Sequence, residues 1–150
     1  MPKAVLDTNV IVSAFLKPES NAALILSLFF EGFLTVCLSQ EILAEYKEVL
    51  KREKFRKLDQ GIISNFLEEI GRQALMVDPR VSINAAIVDP DDNKFLECAL
   101  ESKADYLITG NTRHFPFKKF RATQIINPRD FIDLLGEAII QNQESKDLER

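Results

Sequence analysis

The stretch Ala4-Val5-Leu6-Asp7-Thr8-Asn9-Val10-Ile11-Val12 decides how the rest of the chain is read. An apolar run of strand-forming residues stops at an acid, passes two turn-favouring polar residues and resumes as a second apolar run. That pattern is a buried strand ending in a carboxylate. In an open α/β sheet the chain leaves each parallel strand at its carboxyl end, and ligands collect along that edge. Asp7 therefore stands where such folds carry out their chemistry.

Downstream the same alternation repeats. Residues 10–16 read as a short helix, broken at Lys17-Pro18-Glu19-Ser20 because Pro18 removes an amide donor. Ser20 is placed to cap a second, largely apolar helix over 21–31, and Gly32 suits its end. A continuous apolar strand over 33–38 follows, and Ser39 is placed to cap a third helix over 40–51. On that helix Ile42, Leu43, Tyr46, Val49 and Leu50 share one arc, and Glu45 is the acid closest to it. A fourth amphipathic helix is predicted over 60–72 and a short strand over 74–77.

Val88-Asp89-Pro90-Asp91-Asp92-Asn93-Lys94-Phe95-Leu96 opens a fifth helix with a capping residue followed by proline. Capping explains Asp89 and Asp91. Asp92 precedes Phe95 by three residues, Leu96 by four and Ala99 by seven, which puts its carboxylate on the apolar arc. A charge aimed inward must be compensated or lost. Strands over 104–109 and 123–126 and a closing helix begun by Asn127-Pro128 complete the pattern, with residues 142–150 expected to fray as a polar tail. No hairpin is required, so the expectation is one domain spanning 1–150, a parallel α/β sheet covered on both faces.

The gross numbers fit that reading. A chain of 150 residues, 46% hydrophobic, is long enough for one core. Its longest apolar stretch falls short of the roughly 20 residues that span a bilayer, and no signal peptide is evident, so a cytoplasmic protein with no membrane partner is expected. The two cysteines, Cys37 and Cys98, lie in apolar segments and read as buried thiols. A net charge of −4 argues against wholesale neutralisation of nucleic-acid phosphates, yet leaves room for an enzyme whose acids hold metal while local cations grip the substrate. Basic clusters occur within 51–57 and 113–121.

Asp7, Glu45 and Asp92 thus have independent reasons to approach one crevice. Hard divalent cations take oxygen ligands and commonly use only one or two carboxylates directly. Such a cation would compensate Asp92 and supply phosphodiester hydrolysis with an activated water and charge stabilisation.

Val5-Leu6-Asp7-Thr8-Asn9, Ser39 with Glu45, Asp92-Asn93-Lys94-Phe95-Leu96-Glu97-Cys98-Ala99 and Ala104-Asp105-Tyr106-Leu107-Ile108-Thr109-Gly110 together resemble the successive signature blocks of the PIN domain, in the branch similar to VapC toxin components of toxin–antitoxin systems. The resemblance covers nearly the whole chain. It implies a three-layer sandwich around a five-stranded parallel sheet in the order 3-2-1-4-5, with helices on both faces, and a Mg²⁺- or Mn²⁺-dependent endoribonuclease. It further implies an RNA substrate, a small antitoxin partner and a homodimer.

Carried onto this sequence, Asp7, Glu45 and Asp92 are the catalytic acids and metal ligands, Glu45 directly or through water. The fourth acidic position is here Asn111, a weaker ligand that removes one negative charge and points to one bound ion rather than two. Thr8, Asn9, Thr109 and Arg113 are candidate substrate contacts, although Thr8 and Asn9 can equally orient Asp7 or cap the first helix. His114, the only histidine, reads as a surface or packing residue, and Asp105 as a structural pair at the start of its strand. Phe117 and Phe120 read as core. A catalytically weakened domain that binds RNA or protein is the second reading, motivated by Asn111. A phosphoacceptor receiver lacks its expected acid and lysine, and a DNA flap nuclease stays chemically open.

Overall fold

The computed structural model describes residues 1–86 and 88–149. Strands β1 (Lys3–Leu6), β2 (Thr35–Leu38), β3 (Leu75–Met76), β4 (Tyr106–Ile108), β5 (Lys119–Phe120) and β6 (Thr123–Ile126) form one sheet in the order β3-β2-β1-β4-β6-β5. All pairings are parallel except β5 with β6. Without β5 the order is the expected one, and the sixth strand is a correction. A two-residue antiparallel edge folds back through a tight turn in which Arg121 takes φ 53°. A strand that short carries no periodic signal.

The helices are α1 (Thr8–Leu16), α2 (Asn21–Phe30), α3 (Gln40–Leu50), α4 (Gln60–Gln73), α5 (Asn93–Ser102) and α6 (Pro128–Leu148). Their starts follow the capping chemistry in the sequence: Ser20, Ser39, Asp59 and Asn127 each accept a backbone N–H of the first turn. Gly32, just beyond α2, adopts φ 89°, the left-handed geometry that closes a helix. Residues 142–148 continue α6 where a frayed tail was expected, and Arg150 lies outside the described residues. Gln143, Glu144, Lys146 and Leu148 are good helix formers interleaved with poorer ones, and the segment is exposed throughout, so its polarity signals exposure and not unwinding.

Ala4, Val5 and Leu6 are all 0% exposed. Successive strand side chains point to opposite faces, so both faces of β1 are covered. Helix α5 packs across β1, β2 and β4, and Phe131 of α6 meets Tyr106 of β4 edge-on with ring centroids 5.3 Å apart. Phe95 is fully buried beneath α5, and its truncation to alanine would cost about 3–5 kcal/mol. Cys37 and Cys98 are free and buried, with burial pushing the Cys98 thiol up to about 12. Among the described residues no single helix is long and apolar enough to cross a membrane. Helix α2 turns Ala22, Ile25, Leu26 and Phe29 into the core, while Leu24 and Phe30 stay exposed.

Candidate functional site

The central pair β1–β4 fixes the site. The Asp7 amide donates to Ile108 O at 2.9 Å, so the acid leaves β1 beside the end of β4. The sheet order changes direction here, with β2 on one side of β1 and β4 on the other, which opens a crevice at the carboxyl edge. Asp7 is 7% exposed and caps α1 by accepting from the Asn9 amide at 3.4 Å. Its Oδ2 accepts from Thr109 Oγ1 at 2.8 Å and from Asn9 Nδ2 at 3.4 Å. Gly110 N donates to Asn9 Oδ1 at 2.9 Å, and Asn111 N donates to Thr109 Oγ1 at 3.0 Å. Asn9 and Thr109 thus hold Asp7 and tie α1 to the loop after β4. Burial pushes the Asp7 pKa up; the Thr109 hydroxyl and Asn9 amide oppose this, and the Glu45 charge adds to the rise.

Asp92 closes the 3-10 turn Pro90–Asp92 that leads into α5. Asp89 caps that turn, its carboxylate accepting from Asp91 N at 3.0 Å. Asp92 itself is 9% exposed, and its buried Oδ2 has no hydrogen-bond partner among the described residues. Its pKa is raised to about 6, first by burial and then by the charges of Asp7 and Asp89, against a lowering contact with His114. His114 Nδ1 stands 3.5 Å from that orphaned oxygen, too long to satisfy it. The Asn111 side-chain amide lies 2.7 Å from His114 Nε2. With that amide donating, the neutral ring carries its proton on Nδ1, toward Asp92. Asn111 therefore turns its amide nitrogen to His114, and His114, read from sequence as a surface or packing residue, faces the site.

Glu45 is engaged differently. Oε2 accepts from Thr8 Oγ1, and Oε1 accepts from Lys94 Nζ at 2.6 Å. Lys94 is 8% exposed. Burial alone would lower its pKa, but the hydrogen bond and charge of Glu45, with Asp91 and Glu41, outweigh burial and raise it, so the ammonium persists. Among the described residues no group of three His, Cys, Asp or Glu side chains could hold a metal ion. Three acids converging on one ion is not the arrangement seen: Asp7 and Asp92 form the open pair, and Glu45 has a lysine for company.

That donor set still fits a hard divalent cation. A buried carboxylate oxygen with no partner, repelled by a second buried carboxylate, is a group whose missing counter-charge a dication supplies, and two carboxylates suffice for Mg²⁺. Around this pair, Tyr46 of α3, fully buried, donates its hydroxyl to Leu6 O, immediately before Asp7. Asn93, also buried, accepts from Ala85 N at 3.0 Å and Ala86 N at 2.8 Å, pinning the loop ahead of Asp92. Arg113 is exposed and lines a hollow of about 410 Å³ with Phe115, Phe117 and Lys118. Phe117 and Phe120 are half-buried, packed on the core and stacked on each other at 5.3 Å. Asp105 accepts from Lys3 N at 2.9 Å at the far end of β4, the structural pairing expected of it.

Comparison with known proteins agrees with this architecture. The family model described as the PIN domain matches residues 3–113. The chain belongs to the PIN-domain family. PIN domains are generally nucleases. The chain is 35% identical over 111 residues to the uncharacterized protein MJ1680 of Methanocaldococcus jannaschii, covering 73% of this chain and 70% of that protein. It is also similar in fold to a chain in the crystal structure of VapBC2 from Rickettsia felis bound to a DNA fragment from their promoter. The TM-score is 0.53 at 18% identity, over 83% of this chain and 98% of that chain.

Proposed function

We propose that this PIN domain is a Mg²⁺- or Mn²⁺-dependent endoribonuclease, the toxin of a toxin–antitoxin pair. The single observation that carries the reading is the buried Asp92 Oδ2, unpartnered among the described residues and set against buried Asp7 at the β1–β4 crevice. Asp7 and Asp92 would hold the ion, which supplies a water activated for attack and charge stabilisation on the phosphoryl oxygens. Thr109 and Asn9 fix the Asp7 carboxylate, so its geometry is set before substrate arrives. Asn111 orients His114 with its Nδ1 proton toward Asp92. Glu45, both oxygens occupied, contributes through Lys94 and Thr8 to the wall of the site and not as a direct ligand. Arg113 and Lys118, exposed on the segment that follows β4, would meet phosphates.

RNA as substrate, a small antitoxin as partner and a cytoplasmic place of action follow from the VapC-like signature blocks and from the fold likeness to a VapBC2 chain. Self-association of two chains would pool the basic clusters. The test is cleavage of a panel of RNAs by the purified chain with Mn²⁺, with EDTA, and with Asp7→Asn. Metal-dependent cutting lost in the variant is expected, and full activity in folded Asp7→Asn would remove the mechanism.

A specific observation favours a second reading. Asn111 stands in the fourth acidic position and Glu45 is neutralised by Lys94, which leaves fewer free carboxylates than a vigorous nuclease would use. A weakened domain that binds RNA or protein would bind RNA yet stay inactive in excess Mn²⁺.

A further inference from the structure

Lys94 is a buried charge with no part in holding the proposed ion. Lys94, in the first turn of α5, sends its ammonium to Glu45 Oε1 at 2.6 Å, stands 3.8 Å from Asp91 Oδ1 and lies 6.0 Å from the Phe95 ring centroid. Lysine is rarely buried, because its strongly hydrated ammonium must be replaced by close partners. A lysine meant only to brace α5 against α3 could do so from the rim, at little desolvation cost.

We infer that Lys94 is a resident monovalent cation occupying the place of a second divalent ion on the Glu45 side of the crevice, so that the chain takes up one divalent cation and rejects another. The inference rests on the proposed metal site at Asp7 and Asp92. Asp7, Glu45 and Asp92 bring one negative charge each to the crevice, three together, while Asp89 and Asp91 are exposed to solvent at its rim. A dication between the aspartates cancels two of these charges and the ammonium cancels the third. A second dication would have to share each Glu45 oxygen with a hydrogen bond already made, one from Lys94 and one from Thr8. It would also sit within a few ångströms of a like charge in a partly dry site, a repulsion worth about a hundredfold or more in affinity. Lys94 is thus a positioning residue: it sets the number of ions and turns Glu45 away from them.

Mn²⁺ binding to the full chain, followed by calorimetry and by the electron-spin resonance of free Mn²⁺, tests this without reference to activity. The wild type is expected to bind one ion, Lys94→Arg one ion, and Lys94→Gln two. Glu45→Gln leaves the ammonium unneutralised and should weaken the single site about tenfold. Glu45→Gln/Lys94→Gln removes the ammonium as well and should recover wild-type affinity, whereas a Glu45 that ligates the ion would leave it weak. The double variant also keeps the question open to measurement should Lys94→Gln fail to fold, since it buries no unpaired charge. Two ions in the wild type overturn the inference, as do one ion of unchanged affinity in folded Lys94→Gln or no recovery in the double variant. Absence of any Mn²⁺ binding in the wild type instead removes the metal site and the inference with it.

Discussion

Asp92→Asn should make the metal-free protein more stable while abolishing its response to metal. The Asp92 pKa rises from 3.8 to about 6 in the fold. Each pKa unit corresponds to about 1.4 kcal/mol of differential interaction, so the ionised carboxylate opposes folding by at most about 3 kcal/mol. Water reaching the crevice reduces that, and about 1–2 kcal/mol is the expected gain for an amide of the same shape. The sign follows from proton counting. Between pH 4 and pH 6 the folded state binds more protons than the unfolded one, so wild-type stability falls as pH rises through this window. The advantage of the variant should therefore be near zero below about pH 4, open between pH 4 and 6 and level off above.

In a chain of this size that gain is about 2–8 °C in melting temperature. The assay is thermal and urea denaturation of both proteins in EDTA across pH 4–8, repeated with Mn²⁺. Saturating metal should stabilise only the wild type, by about 2.7 kcal/mol at a hundred times Kd, and reverse the order. A variant less stable than the wild type at pH 7.5 in EDTA, or an advantage independent of pH, would refute the reasoning.

Other expectations come from the surrounding contacts. Tyr46→Phe removes the donor to Leu6 O beside Asp7 and should cost about 1–2 kcal/mol in urea denaturation, with weaker Mn²⁺ binding. Asp105→Ala loses only the exposed link to Lys3 N, so stability should fall by no more than about 1 kcal/mol and RNA cleavage should be unchanged. His114→Ala withdraws the ring facing Asp92 Oδ2, and metal-dependent cleavage should drop about tenfold while circular dichroism stays that of the wild type.

Asp7 was legible because a strand that ends at an acid gives a local signal, and Asp92 because its place among Phe95, Leu96 and Ala99 aims it inward. Both are buried where that logic puts them. Lys94 was not legible. It follows Asp92 by two residues, about 200° round a helix, where a lysine reads as exposed, and only the approach of α3 to α5 gives it Glu45. Tyr46 was visible as part of an apolar arc, but its hydroxyl finds Leu6 O only once the sheet exists. His114 sits in a 3-10 turn whose course follows from Asn111 and the end of β4, and no spacing rule reaches it. The strand order was legible through the family resemblance, while the β5 edge was too short to announce itself.

The central claim is that Asp7 and Asp92 share one divalent cation. Anomalous diffraction from crystals soaked in Mn²⁺ addresses it directly. One peak within coordination distance of both aspartates, with Glu45 still bonded to Lys94, is the expected result. A crevice without a peak, or an ion centred on Glu45, would contradict it.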